Sequence, residues 1–351
     1  MNLSSTRRRA TLVAALALAT LGVPVVTTAA QAAVVVPKAG VVGRPILLQD
    51  HAQFDGYDIA TDKAGNAYIG WVANSAPGVA ASRVLHLCTL RPGAGSCAGG
   101  IQVIDALGLS SAAGLRVLAT PAGAVTMVWF HDTDPGSISG PRGGRIATAT
   151  SQLGGPLTAA TDVADAPSFG QLLDAAFGPG GALWTVAYAG VGTSSIEVRA
   201  GVAAAPQSVP TPYSVSTTRL AFSGATPVIA TTQYGSISTP ISTAHATGGV
   251  WSRFAPVANT WSVAGVGLAR ATSGLRLVAS IGNASYSPAA AKFNGTGFPR
   301  PRLIGDANSC APSSHDLVAD GSGRLADVSN ECGKITIVNM PDAANAALVR
   351  F

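Results

Sequence analysis

One short phrase recurs six times along this chain: an apolar strand, a tight turn ending on glycine, and a second apolar strand. Its clearest copies span residues 58–71, 116–129 and 174–184, with turn glycines Gly65, Gly123 and Gly181. Weaker copies end their turns at Gly224, Gly274 and Gly323. Successive turn glycines lie 43 to 58 residues apart, the period of one four-stranded propeller blade with its loops. The expected fold class is therefore all-β: a six-bladed β-propeller of four-stranded antiparallel blades.

The segments between the phrases fit the outer half of each blade. Residues 83–88 and 100–104 alternate apolar and polar positions around a turn. Residues 145–150 with 157–163, 195–199, 241–254, 289–304, and 334–339 with 346–351 take the same place in the later repeats. No helix longer than two turns is expected. One apolar stretch, residues 43–50, precedes the first repeat without a partner. It is expected to close the ring by joining the last blade, because ends that fail to interlock expose strand edges.

Residues 1–32 read as a secretory signal peptide: Arg7, Arg8 and Arg9, an uncharged run over 10–26, then Ala30-Gln31-Ala32 as a small-x-small cleavage site. The residues after the paired arginines, Ala10 and Thr11, favour the general secretory route over twin-arginine export. Residues 33–351 form a single propeller domain in this reading, and the expected localisation is secreted or extracellular. Without the three leader arginines the formal charge falls from +5 to about +2. No basic run remains that suits a polyanion. No nucleic-acid partner, membrane span or cofactor is expected, and the chain is read as a monomer.

An exported chain with four cysteines is read for disulfides. Cys88 and Cys97 flank a Pro-Gly-containing hairpin loop, and Cys310 and Cys332 flank the sixth repeat. Of three connectivities, 88–97 with 310–332 is expected because sequence-local pairs need no contact across the ring. No metal site is expected: there is no C-x2-C, and the histidines lack ligand spacing. The run His131-Asp132-Thr133-Asp134 lacks the calcium-loop pattern and reads as a solvated turn. Trp71, Trp129 and Trp184 recur near one blade position and read as packing between blades.

The phrase at 58–68, with residues 320–323 near the end, resembles the inner strands of secreted bacterial propellers of the NHL-like and sialidase-like superfamilies. The sialidase-type box Ser-x-Asp-x-Gly-x-x-Trp is not matched at the turns where that family carries it. A sialidase-like mechanism also needs an arginine triad and a tyrosine–glutamate pair. The two glutamates, Glu197 and Glu331, fall away from the expected ligand site.

Propellers bind ligands at the mouth of the central channel. Seven residues before the turn glycines stand Asp58, Arg116, Asp174, Gly267 and Asp316, with Arg219 nearby in the irregular fourth repeat. Blades related by rotation should bring these together as a ring of charge. Loops feeding the same mouth carry His51, Phe54, Tyr57, Phe169 and His315, which offer stacking faces and hydrogen-bond donors suited to a sugar. The competing reading gives the aspartates to backbone amides and the arginine to structural ion pairs. The function expected is a non-enzymatic binding propeller for a carbohydrate, cell-envelope ligand or extracellular protein. The alternative is a glycan-active hydrolase or lyase using Asp58, Arg116 and Asp174.

Overall fold

In the computed structural model the described residues are 56–74, 83–105, 114–132, 144–152, 155–166, 172–189, 194–233, 240–260, 265–271, 273–281 and 287–304. Beyond these, 315–319, 325–331, 334–340 and 348–350 are described almost entirely in backbone alone. They form an all-β propeller whose antiparallel sheets each run in chain order from an inner to an outer strand. The first sheet holds β1 (Gly56–Thr61), β2 (Ala67–Asn74), β3 (Arg83–Leu90) and β4 (Gln102–Asp105). The second holds β5 (Arg116–Ala119), β6 (Val125–Asp132), β7 (Gly144–Ser151) and β8 (Thr161–Ala166). The third holds β9 (Leu172–Phe177), β10 (Leu183–Tyr188), β11 (Ser195–Ala200) and β12 (Gln207–Pro210).

The fourth sheet holds β13 (Val215–Ser223), β14 (Thr226–Gln233) and β15 (Ser242–Thr247), whose free side is shared by two short strands, β16 (Val250–Trp251) and β17 (Ala255–Pro256). The fifth holds β18 (Gly267–Ala271), β19 (Gly274–Ile281), β20 (Ser287–Lys292) and β21 (Arg302–Leu303). The last holds β22 (His315–Ala319), β23 (Leu325–Glu331), β24 (Lys334–Met340) and β25 (Leu348–Arg350). Five blades are thus described with side chains, four of them four-stranded and the fourth five-stranded, where six four-stranded blades were expected; a further four-stranded sheet is described almost entirely in backbone. The stretch 43–50, expected to complete the last sheet, lies outside the described residues. The outer position of that sheet is occupied by β25, from the other end of the chain.

The recurring phrase has one local cause. In the three clear copies the inner hairpin closes over four residues, 62–65, 120–123 and 178–181, by the same pair of backbone bonds. The glycine N–H returns to the first residue's carbonyl (3.1, 2.9 and 3.0 Å), and the first residue's N–H reaches the carbonyl beyond the glycine (3.1, 2.8 and 2.8 Å). This closure puts the fourth residue in the left-handed region: φ is 83° at Gly65, 86° at Gly123 and 80° at Gly181. A side chain there is strained, so glycine marks the turn. Where the first residue is polar it also caps the turn: Asp62 Oδ1 accepts from Asn66 N at 2.9 Å, and Thr120 Oγ1 from Ala124 N at 3.1 Å.

The core lies between blades. Alternate side chains of a strand point to opposite faces, and both faces of β6 are covered. Met127 and Trp129 pack with Tyr68, Val72, Leu85 and Leu87 of the first blade. Val128 and Phe130 pack with Leu172 and Ala175 of the third. This explains why the second strand of each phrase reads as a continuous apolar run. Leu173, Val186, Ile196 and Val198 meet Leu220, Phe222 and Ile229 of the fourth blade. Ala221, Val228 and Ala230 in turn meet Leu268, Leu275 and Leu277 of the fifth. Of the recurring tryptophans, Trp71 and Trp129 are fully buried, and Trp184 is partly buried against the third core.

Cys88 and Cys97 form a disulfide, with Cα atoms 5.2 Å apart. Cys310 and Cys332 lie outside the described residues.

Candidate functional site

The inner strands put the expected ring residues in one register. Asp58 pairs with Gly70, Arg116 with Val128, Asp174 with Val186, Arg219 with Ala230, Gly267 with Val278 and Asp316 with Val328. Each partner sits at the same depth on the second strand of its blade. Inner strands of successive blades are neighbours, and β22 also approaches β1.

What the charges do there is specific. Asp58 Oδ2 accepts from Val117 N at 2.7 Å, and Asp174 Oδ2 accepts from Leu220 N at 2.5 Å. Each aspartate therefore holds the backbone of the next blade, one residue beyond the equivalent position. Arg116 stands between them, its Nε 2.7 Å from Asp174 Oδ1 and one terminal nitrogen 3.8 Å from Asp58 Oδ1. Its other terminal nitrogen donates to the Leu173 carbonyl at 3.0 Å. An inner strand must leave amides unpaired on its channel side. The carboxylates satisfy two of them while neutralising the guanidinium.

Burial raises the Asp58 carboxyl above its ordinary value of 3.8. Arg116, the Val117 amide and Arg219 pull the other way, and Asp174 adds to the rise. Asp174 is buried, with both oxygens engaged. Asp174 thus has both oxygens occupied, while Asp58, less buried, keeps Oδ1 3.8 Å from the Arg116 guanidinium.

Above this staple opens a cavity of about 250 Å³. Its polar lining comes from Tyr57, Arg116, Ser216, Thr217, Thr218 and Arg219, and its apolar lining from Leu115, Leu172 and Leu173. Tyr57 is 67% exposed, so its ring stands at the rim. Gly114 lets the wall form: it has φ 104°, and a side chain there would run into the backbone of Leu172 on the next blade. Reading the sequence by position before the glycine found Asp58, Arg116 and Asp174 but missed Ser216, Thr217 and Thr218. Their signal was a polar run, Ser-Thr-Thr-Arg, inside an otherwise apolar inner strand.

His51, Phe54 and Phe169 lie outside the described residues. For His315 and Asp316 the backbone places both on β22, and their side chains lie outside the description. His131 does not mark a loop: it sits near the end of β6, buried, with Nε2 2.7 Å from Asp162 Oδ1. Asp134 lies outside the described residues. Among the described residues no three His, Cys, Asp or Glu side chains gather as a metal site. Among them, too, no helix is long and apolar enough to cross a membrane.

At the turn end of the hairpins, Tyr68 ties two blades together. Its hydroxyl lies 2.9 Å from Asp62 Oδ2 and 3.2 Å from the Gly123 carbonyl. Burial and the Asp62 carboxylate push its pKa up to about 12. Burial acts to raise Asp62 as well, but hydrogen bonds from Asn66, Tyr68 and the amides of Asn66 and Ala64 outweigh it and leave the carboxyl lowered.

No protein-family model matches the chain, and no curated protein matches it. Solved structures do. AofleA from Arthrobotrys oligospora aligns over 87% of this chain and 88% of its own, with TM-score 0.53 and 9% identity. The NanB sialidase of Streptococcus pneumoniae aligns over 82% of this chain and 67% of its own, with TM-score 0.56 and 7% identity. A leech intramolecular trans-sialidase, solved with 2,7-anhydro-Neu5Ac, aligns over 83% and 67%, with TM-score 0.53 and 7% identity. At such identities the likeness is one of fold: this chain is built as a β-propeller, as those proteins are.

Proposed function

We propose that this protein is a secreted, non-enzymatic propeller that binds an acidic glycan at the mouth of its channel. Sheet β22–β25 completes the ring in this reading as a sixth blade, with β22 against β1. The observation that carries the reading is the division of labour at the mouth. Asp58 and Asp174 are engaged by backbone amides and by Arg116, while the groups facing the cavity are hydroxyls, an exposed tyrosine and arginine. Hydroxyl and phenol groups suit sugar hydroxyls, and guanidinium suits a carboxylate in planar, paired geometry. The sialidase and trans-sialidase neighbours, whose names point to sialic acid, give the acidic sugar its support. Export is supported by the leader-like start of the sequence and by the Cys88–Cys97 disulfide.

A glycan array probed with the mature protein and with Arg219→Ala and Tyr57→Ala variants tests this. Binding to sialylated or uronic-acid glycans that both variants weaken is the expected result. Binding by neither parent nor variants to any glycan would overturn it.

One observation favours a second reading, a glycoside hydrolase: burial holds the Asp58 carboxyl above its ordinary range, as a general acid requires. Release of reducing sugar from a bound glycan, lost in Asp58→Asn, would establish it.

A further inference from the structure

Away from the channel, a groove of about 720 Å³ opens between the outer strands of the third and fourth blades, in the size range of small-ligand sites. One wall is β12 with residues 211–212, the other the segment 249–254 that contains β16. Trp251 anchors it. Its body packs partly against the core between these blades, and its Nε1 donates to Gln207 Oε1 at 3.1 Å. That bond crosses from one blade to the next and fixes the indole before any ligand arrives. The indole N–H is spent in it, so Trp251 offers a ligand its ring rather than a donor.

The same bond orients Gln207. With its amide oxygen accepting from the indole, the exposed NH2 group is left to donate. Ser208 and Arg253, both exposed, add a hydroxyl and a guanidinium, and among the described residues no carboxylate lines the groove. Val250 stands 73% exposed beside the tryptophan. An aromatic ring bordered by donors matches a pyranose, whose faces carry C–H groups and whose edge carries hydroxyl acceptors. We propose that this inter-blade groove binds an uncharged pyranoside, its ring against Trp251 and its hydroxyls on Gln207 and Arg253. The site is separate from the channel mouth and stands or falls independently of the acidic-glycan reading.

The test is titration of the mature protein with cellohexaose and with chitohexaose, followed by calorimetry and by tryptophan fluorescence, at low and at high salt. The expected result is saturable binding that changes the fluorescence, survives high salt, and is unchanged in the mouth variant Arg219→Ala. Trp251→Ala should weaken it at least about tenfold, and Gln207→Ala, an exposed change that frees the indole, should weaken it as well. Should Trp251→Ala fail to fold, Trp251→Phe and Gln207→Ala carry the comparison. Absence of binding to both sugars would overturn the proposal, as would binding that these variants retain or that Arg219→Ala removes. Binding of a proline-rich peptide in place of either sugar, lost in Trp251→Ala, would reassign the groove.

Discussion

Asp174 concentrates most of the residue-scale physics of this molecule. One oxygen takes a backbone amide of the next blade and the other faces Arg116, and the side chain is buried. Replacing it by alanine strands the Leu220 N–H and leaves a guanidinium short of its counter-charge. Removing one partner of a buried pair costs about 3–5 kcal/mol, so Asp174→Ala should show a loss of that order in urea unfolding. Asp58 gives a pH signature of known sign. Its folded carboxyl is raised above 3.8, so the folded state holds the proton to higher pH than the unfolded chain does. The group's contribution is therefore most favourable in acid and declines as pH rises from 3.8 through the folded value. Asp58→Asn, which keeps an acceptor for Val117 N, should gain stability relative to the parent over that rise. Unfolding curves at several pH values between 3 and 8 would show the difference, and a constant offset would contradict the account. Asp62 has the opposite sign: lowered on folding, it supports the native state above 3.8 and ceases to as pH falls through its folded value.

At the scale of elements, the blades are held by strands whose two faces both lie in cores. Met127 is fully buried between the first and second blades. Met127→Ala should cost about 2–5 kcal/mol, measured as a shifted denaturation midpoint with an unchanged slope. The Cys88–Cys97 bridge closes a separation of only nine residues. Serine at both positions should lower stability by roughly 2–3 kcal/mol without loss of fold. Elements were unequally legible in the sequence. The inner hairpins announced themselves because their closure demands glycine at a left-handed position, as at Gly65, Gly123 and Gly181. The outer strands are short and half-exposed, so periodicity located them only coarsely. Strand β12 went unrecognised, and residues 241–254 cover a strand followed by a tight turn into β16, while β17 falls beyond them.

For the whole molecule, rotational repetition made the site's register readable before its chemistry was. Counting back from each glycine placed Asp58, Arg116 and Asp174 on equivalent positions, and they do converge. What counting could not supply was the direction of each bond. The reading that gave the aspartates to backbone amides and the arginine to ion pairs matches the contacts seen. The sequence does not reveal, however, that the amides are those of Val117 and Leu220 on the next blade, nor that the irregular fourth repeat lines the cavity with Thr217, Thr218 and Arg219. The inter-blade groove was equally hidden, because Gln207 and Trp251 are 44 residues apart and meet only through blade stacking.

The central claim, that the channel mouth binds an acidic glycan through the cavity-facing groups, is tested most directly by calorimetric titration with 3′-sialyllactose. The parent protein and Arg219→Ala should be compared side by side at two salt concentrations. The account predicts binding by the parent that weakens with salt and falls at least about tenfold in the variant. Equal affinity for parent and variant, or no binding by a folded parent, would contradict it.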